Sequence, residues 1–143
     1  MKHFLIILLF TAFGFSAYSQ NKDAVVGEWA NATGEAHIDI YKRSNKYFGK
    51  IVWLKNPKEE NGATKTDKKN PNESLRSKPI HGLEILKDFV FDGEKWTDGK
   101  IYDPKSGKTY SCNITLKSDG NLNIRGYIGL SIIGRSEVWK KVK

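Results

Sequence analysis

The chain has 143 residues, 24 Lys and Arg against 16 Asp and Glu, a formal charge of +8 and a single cysteine. One cysteine excludes an internal disulfide framework, and the length suits one domain able to build a core without cross-links. A basic balance of this size attracts anionic partners such as lipid headgroups, acidic polysaccharide or nucleic acid.

Residues 1–19 read as a signal peptide outside the fold. Lys2 and His3 give a positive start, residues 4–15 are apolar but for Thr11 and Gly14, and Ala17-Tyr18-Ser19 offers small residues for a signal peptidase. The run is short for a membrane span, which takes about 18–20 residues. The expectation is an exported protein, periplasmic or extracellular and not integral to a membrane, with residues 20–143 as one folded domain. Export removes nucleic acid as a partner.

From Val25 the apolar residues recur with a period of two, the mark of strands with one dry and one wet face. Residues 25–31 place Val25, Gly27 and Trp29 on one face. Thr33-Gly34 turns the chain into 35–43, where Ala36, Ile38 and Ile40 face in and His37, Asp39 and Tyr41 face out. Ser44-Asn45 reverses it again, since Asn tolerates a left-handed backbone. Residues 46–54 are apolar on both sides, Tyr47, Ile51 and Trp53 on one and Phe48, Val52 and Leu54 on the other. The outward set must meet something besides the core.

Residues 55–78 form one long lysine-rich loop with Pro57, Gly62 and Pro71. Loops of this length are usually functional or mobile. Within it, Asn70-Pro71-Asn72-Glu73 predicts a helical turn through Leu75-Arg76, capped by Asn70 and ended before Pro79. Residues 80–91 read as a strand kinked near Lys87-Asp88, with helix as the competing reading because Leu83 and Leu86 also fit a three-residue spacing, and Asp92-Gly93 as a turn. Residues 96–103 are a strand bulged at Asp98-Gly99. Asp103-Pro104-Lys105-Ser106-Gly107 is a turn in which Pro sets φ, Asp bonds the backbone ahead and Gly exits.

In the last third, Tyr110, Cys112, Ile114 and Leu116 alternate with polar residues, Ser118-Asp119-Gly120 makes a hairpin, and Leu122, Ile124, Gly126 and Ile128 resume the pattern before 135–139. Cys112 is therefore a buried, inert thiol. About eight strands joined by short reversals predict an all-β fold, a single up-and-down antiparallel barrel. Closure removes exposed edges and leaves an interior for side chains or one small ligand.

Several stretches run in order across nearly all of 20–143: Gly27-x-Trp29, Gly49-Lys50-Ile51-Val52-Trp53, Asn70-Pro71 with Leu75-Arg76 and Pro79, Ile101-Tyr102-Asp103-Pro104 with Gly107-Lys108-Thr109-Tyr110, Arg125-Gly126-Tyr127, and Gly134-Arg135 with Trp139. Together they resemble domain-of-unknown-function family 2147, small exported bacterial proteins. The resemblance implies a lipocalin-like β-barrel, export and no established reaction. Gly27-x-Trp29 is also similar to the first-strand signature of lipocalin-like barrels, in which an Arg from the barrel's end stacks over the Trp. Arg135 is the candidate, ahead of Arg125, because alternation turns Arg125 outward while Ile124 faces in.

No cofactor or metal is expected. The sequence has no His-Glu-x-x-His, Gly-x-Ser-x-Gly, Cys-x-x-Cys or Gly-rich phosphate loop, and His37 and His81 stand isolated. Aromatic residues are the better lead, because rings with a polar tip suit binding. Three readings stay open. In the first, a small apolar or amphipathic ligand, a lipid or envelope component, lies against Trp53, Tyr102, Tyr110, Ile114 and Tyr127 beneath the 55–78 loop, with lysines drawing in an acidic headgroup or an anionic envelope surface. The second is a scaffold with a filled core that binds a protein partner through Phe48, Val52 and Leu54 or the lysine-rich loop. The third is an enzyme using Asp103, His81 or Arg76 at a barrel mouth.

Overall fold

A computed structural model describes residues 21–130 and 133–143. The expected signal peptide lies outside the described residues. Eight strands form: β1 (Gly27–Ala30), β2 (Ala36–Arg43), β3 (Lys46–Leu54), β4 (Glu84–Phe91), β5 (Trp96–Asp103), β6 (Lys108–Leu116), β7 (Leu122–Tyr127) and β8 (Gly134–Lys141). Each pairs antiparallel with the next, and β8 returns to β1, so the sheet closes as an up-and-down barrel. At the seam Trp29 lies opposite Lys141 and Ala30 opposite Lys140. The Glu28 N–H extends it by donating to the Lys143 carbonyl at 3.1 Å.

The turns sort to two ends. At one end, Ser44 and Asn45 both take positive φ, 51° and 62°, the left-handed pair a two-residue hairpin needs; the 92–95 and 117–121 turns join them. The opposite end, the mouth, carries the 31–35, 55–83, 104–107 and 128–133 connections.

The closed end is sealed by residues 21–25, which fold beneath the barrel. The Trp29 indole N–H donates to the Val25 carbonyl at 2.8 Å, and the Trp96 indole N–H donates to the Lys22 carbonyl at 2.9 Å. The Tyr47 hydroxyl donates to the Asp23 carboxylate at 2.7 Å. That bond holds the Asp23 carboxyl below its ordinary range, while burial pushes the Tyr47 phenol up. Buried indoles need partners for their N–H groups, and here the partners are the carbonyls of the floor itself.

Gly27 sits at φ +139°, where a Cβ would fall 2.7 Å from Lys141 Nζ. That space admits the ammonium, which lies 4.6 Å over the Trp29 ring and donates to the Val26 carbonyl at 3.3 Å. The cation over Trp29 is thus Lys141, correcting the expectation of Arg135. Register is the reason: Arg135 pairs with Gly126, near the mouth, and β8 runs on to the closed end before it meets Trp29. Arg125 does face outward, donating to Ser136 Oγ at 3.2 Å.

Register shifts fall at the kink and the bulge that the sequence predicts, with Asp88 and Asp98 at φ 62° and 59°. Two others, between Gly49 and Lys50 against β4 and in β3 against β2, are not predicted. Ile38 pairs with Ile51, but His37 pairs with Trp53, so Val52 is an extra residue in β3. The extra residue swaps the faces beyond it. Trp53 turns outward, against the expectation, and stacks on His37 at 4.4 Å, while Leu54 turns in. Phe48 faces out yet is buried, because the Arg43 guanidinium covers its ring at 3.9 Å and Tyr41 stacks beside it. The apolar outer face proposed for a partner at Phe48, Val52 and Leu54 is therefore not formed.

The 3₁₀ turn is Glu73–Leu75, and its cap is Asn72, which accepts the Ser74 N–H, rather than Asn70. The fourth strand starts at Glu84 instead of residue 80, because Thr66 bridges Pro79 and the Ile80 N–H bonds the Lys65 carbonyl. Cys112 is fully buried, and burial pushes its thiol up to about 12.

Trp96→Ala removes a fully buried ring and its bond to the floor. It is expected to cost about 3–5 kcal/mol, read as a lower urea midpoint at unchanged slope.

Candidate functional site

Above the core residues Ile38, Ile51, Ile124 and Trp139, which are themselves buried, the barrel opens at its upper end. A cavity of about 880 Å³ opens at the mouth, walled by Ile38, Ile51, Leu54, Ile85, Ile101, Tyr110, Ile124 and Trp139. These are inward positions of β2 to β8, so the hollow follows from the same alternation that builds the core. Trp139 forms its base and donates its indole N–H to Glu137 at 2.6 Å. Gly126 also lines the hollow, and a Cβ there would meet nothing closer than 3.7 Å.

The 55–83 connection crosses the mouth and is tied down by one buried carboxylate. Asp67 is fully buried. It accepts the Tyr102 hydroxyl at 2.7 Å and the Asn70 side-chain amide at 2.8 Å, while its own N–H donates to the Lys78 carbonyl at 2.8 Å. Burial first, and then the bond to Asp67, push the Tyr102 phenol up to about 12. The Arg76 guanidinium N–H donates to the Asn70 carbonyl at 2.7 Å. Gly107, at φ +72°, lies against the Lys69 carbonyl, where any Cβ would collide. Asp67 thus straps the loop to Tyr102 in β5, Arg76 braces the loop within itself, and Gly107 leaves room for the Lys69 carbonyl.

The rim is rich in charge. Lys105 pairs with Glu35 at 3.0 Å and Lys68 with Glu59 at 2.8 Å; both acids are held below their usual range by these lysines. Lys69 and Arg135 also line the opening.

Of the residues the sequence nominates for ligand contact, Tyr102 and Tyr110 line the hollow. Ile114 is buried in the core beneath it. Trp53 is on the outer wall, and Tyr127 is half-buried at the foot of the 128–133 connection, so neither lines it. Asp103 accepts the Lys105 N–H at 3.0 Å and the Ser106 hydroxyl at 2.8 Å, as its turn position predicts; Pro104 follows in that turn. His81 Nε2 lies 3.0 Å from the Val52 carbonyl. Asp103, His81 and Arg76 are each spent on the backbone or turn beside them and do not converge. Among the described residues no group of three or more His, Cys, Asp or Glu could hold a metal ion, and no helix is long and apolar enough to cross a membrane. Sequence reading missed Asp67, Glu137 and most of the isoleucines. Asp67 is one acid in a run of lysines, and only contact with Tyr102 distinguishes it.

Residues 27–141 match the family model described as an uncharacterized protein conserved in bacteria, DUF2147. Among solved structures, protein HP1028 from Helicobacter pylori, described as belonging to the lipocalin family, is similar at 24% identity, with a TM-score of 0.70 over 82% of each chain. That likeness shows the fold alone. No curated protein matches the chain.

Asp67→Ala leaves the Tyr102 hydroxyl and Asn70 amide without their acceptor, so a loss of about 1–3 kcal/mol is expected. In a double-mutant cycle Tyr102→Phe should recover part of it; strict additivity would show that the two do not interact. A second expectation concerns pH. The folded phenol holds its proton to about 12, above its ordinary 10.0, so its contribution is intact below about pH 10 and falls as pH rises to about 12. The alkaline fall in melting temperature should be shallower in Tyr102→Phe.

Proposed function

The chain belongs to the DUF2147 family of bacterial proteins, and from that premise we propose that it is an exported, non-catalytic container for one small apolar or amphipathic molecule, a lipid or other cell-envelope component. Export would run through residues 1–19, leaving the barrel in the periplasm or outside the cell. The observation that carries the reading is the cavity of about 880 Å³ at the mouth, with apolar walls and a charged rim that includes Lys69 and Arg135. Ligand pockets span roughly 300–1,000 Å³ and are mostly apolar with a few polar groups at one end. An acyl chain or similar body would lie against the half-buried Leu54, Ile80, Ile101 and Tyr110, gaining about 25 cal/mol for each Å² taken from water. Lys69 and Arg135 would face an acidic headgroup at the opening, and the basic chain would favour anionic envelope surfaces. A filled-core scaffold is the poorer account, since a solid interior would leave no such hollow.

A ligand of the native state must raise its stability. Across a panel of fatty acids, lysophospholipids and phospholipids, at least one should stabilise the protein by about 2.7 kcal/mol at a hundredfold excess over its Kd, on the order of 10 °C for a domain of this size. A flat panel would overturn the reading. Gly126→Phe projects a ring into the hollow from a position with room for a Cβ, and it should abolish that shift while the unliganded protein still melts cooperatively.

A further inference from the structure

The most exposed large apolar side chains gather in one place. Ile128, Leu130 and Ile133 are 70%, 72% and 71% exposed. All three sit in the β7–β8 connection at the mouth, where the Ile133 N–H closes a turn onto the Leu130 carbonyl at 3.0 Å. None belongs to the core or packs against it. Trp53, on the outer wall just below the rim, is the next most exposed. Single exposed apolar residues are ordinary, but three on one hairpin tip mark a contact surface.

We infer that this tip is a membrane-docking element, which sinks Ile128, Leu130 and Ile133 into the interface of an anionic bilayer and sets the barrel mouth against the lipid. Ile128, Leu130 and Ile133 keep most of their surface in solvent at the barrel end, and exposed apolar side chains need no shaped groove to enter a lipid interface. Its base carries Tyr127 and Arg135, and Trp53 stands at the rim; such side chains settle where headgroups meet hydrocarbon. Charge agrees. The chain carries +8, and the 55–78 loop on the same end holds seven basic against four acidic residues, which draws that end towards anionic lipid. Gly126 and Arg135, which lead into and out of the connection, also line the hollow. Docking at this point opens the hollow towards the bilayer, so an amphipathic molecule could pass between the two with little exposure to water. The inference rests on the proposed container but is read from serine substitutions and a dye at the tip, outside the cavity, while the container is read from a thermal shift with dispersed ligand, so each can fail alone.

The test uses residues 21–143, which hold the whole closed barrel, and flotation with vesicles of phosphatidylcholine alone or mixed with phosphatidylglycerol. Expected is binding to the mixed vesicles that weakens with salt, and a loss on the order of tenfold or more in the combined Ile128→Ser, Leu130→Ser, Ile133→Ser variant, with its melting temperature unchanged. A polarity-sensitive dye on Leu130→Cys should shift to the blue on adding mixed vesicles; Cys112 is fully buried and escapes the label. Absence of flotation, or flotation equal in the serine variant, overturns the inference. So does a wild-type dimer that the serine substitutions dissociate without any vesicle binding, which would make a second copy the tip's partner.

Discussion

The barrel depends on the meeting of its first and last strands. Only a short ladder joins β1 to β8, and Trp29 stands at its centre. The ring fills the interior, its indole N–H takes the Val25 carbonyl, and the Lys141 ammonium covers its outer face. One residue thus links the seam, the floor and the chain's C-terminal segment. Gly27 allows this by giving up the side chain that would occupy the ammonium's space. Closure pairs the strand edges that would otherwise face water or other chains. It also divides the interior into a packed lower part, around Trp29, Trp96 and Phe89, and a hollow upper part.

That division explains why Asp67, Asn70, Arg76 and Tyr102 gather at the mouth. A long loop over a barrel end has little apolar surface with which to hold itself down. Asp67 supplies the anchor instead, a buried carboxylate whose two oxygens each accept a hydrogen bond. Burying an acid without partners is costly, while a fully bonded one fixes geometry. Asn70, Tyr102, Arg76 and Gly107 are what such an anchor requires around it.

Above the packed floor, apolar walls meet a charged rim, and beside the rim Ile128, Leu130 and Ile133 face solvent. These features share one axis and one end. The proposed container would use that arrangement: apolar depth, a polar collar, and exposed apolar side chains beside the collar. Asp103 and Arg76 bond the turns around them, and the His81 ring lies against the Val52 carbonyl.

Much of this was legible in the chain. Alternation from Val25 onward, the Ser44-Asn45 reversal, the kink near Asp88, the bulge near Asp98 and the 103–107 turn all rest on interactions between near neighbours, so residue type alone determined the eight strands and most of their inward positions. Trp53, Asp67 and the cation over Trp29 were different. Val52 becomes an extra residue only against β2, and that one slip turned Trp53 out and Leu54 in. Asp67 acquires its role from Tyr102, and Lys141 displaces Arg135 because the β1–β8 register sets which residue reaches the seam. The hollow likewise appears only when eight strands close at a particular tilt with Gly126 on the wall. Local period and turn chemistry belong to the sequence; register, face and enclosed volume come from pairing between distant segments, and only the tertiary structure decided them.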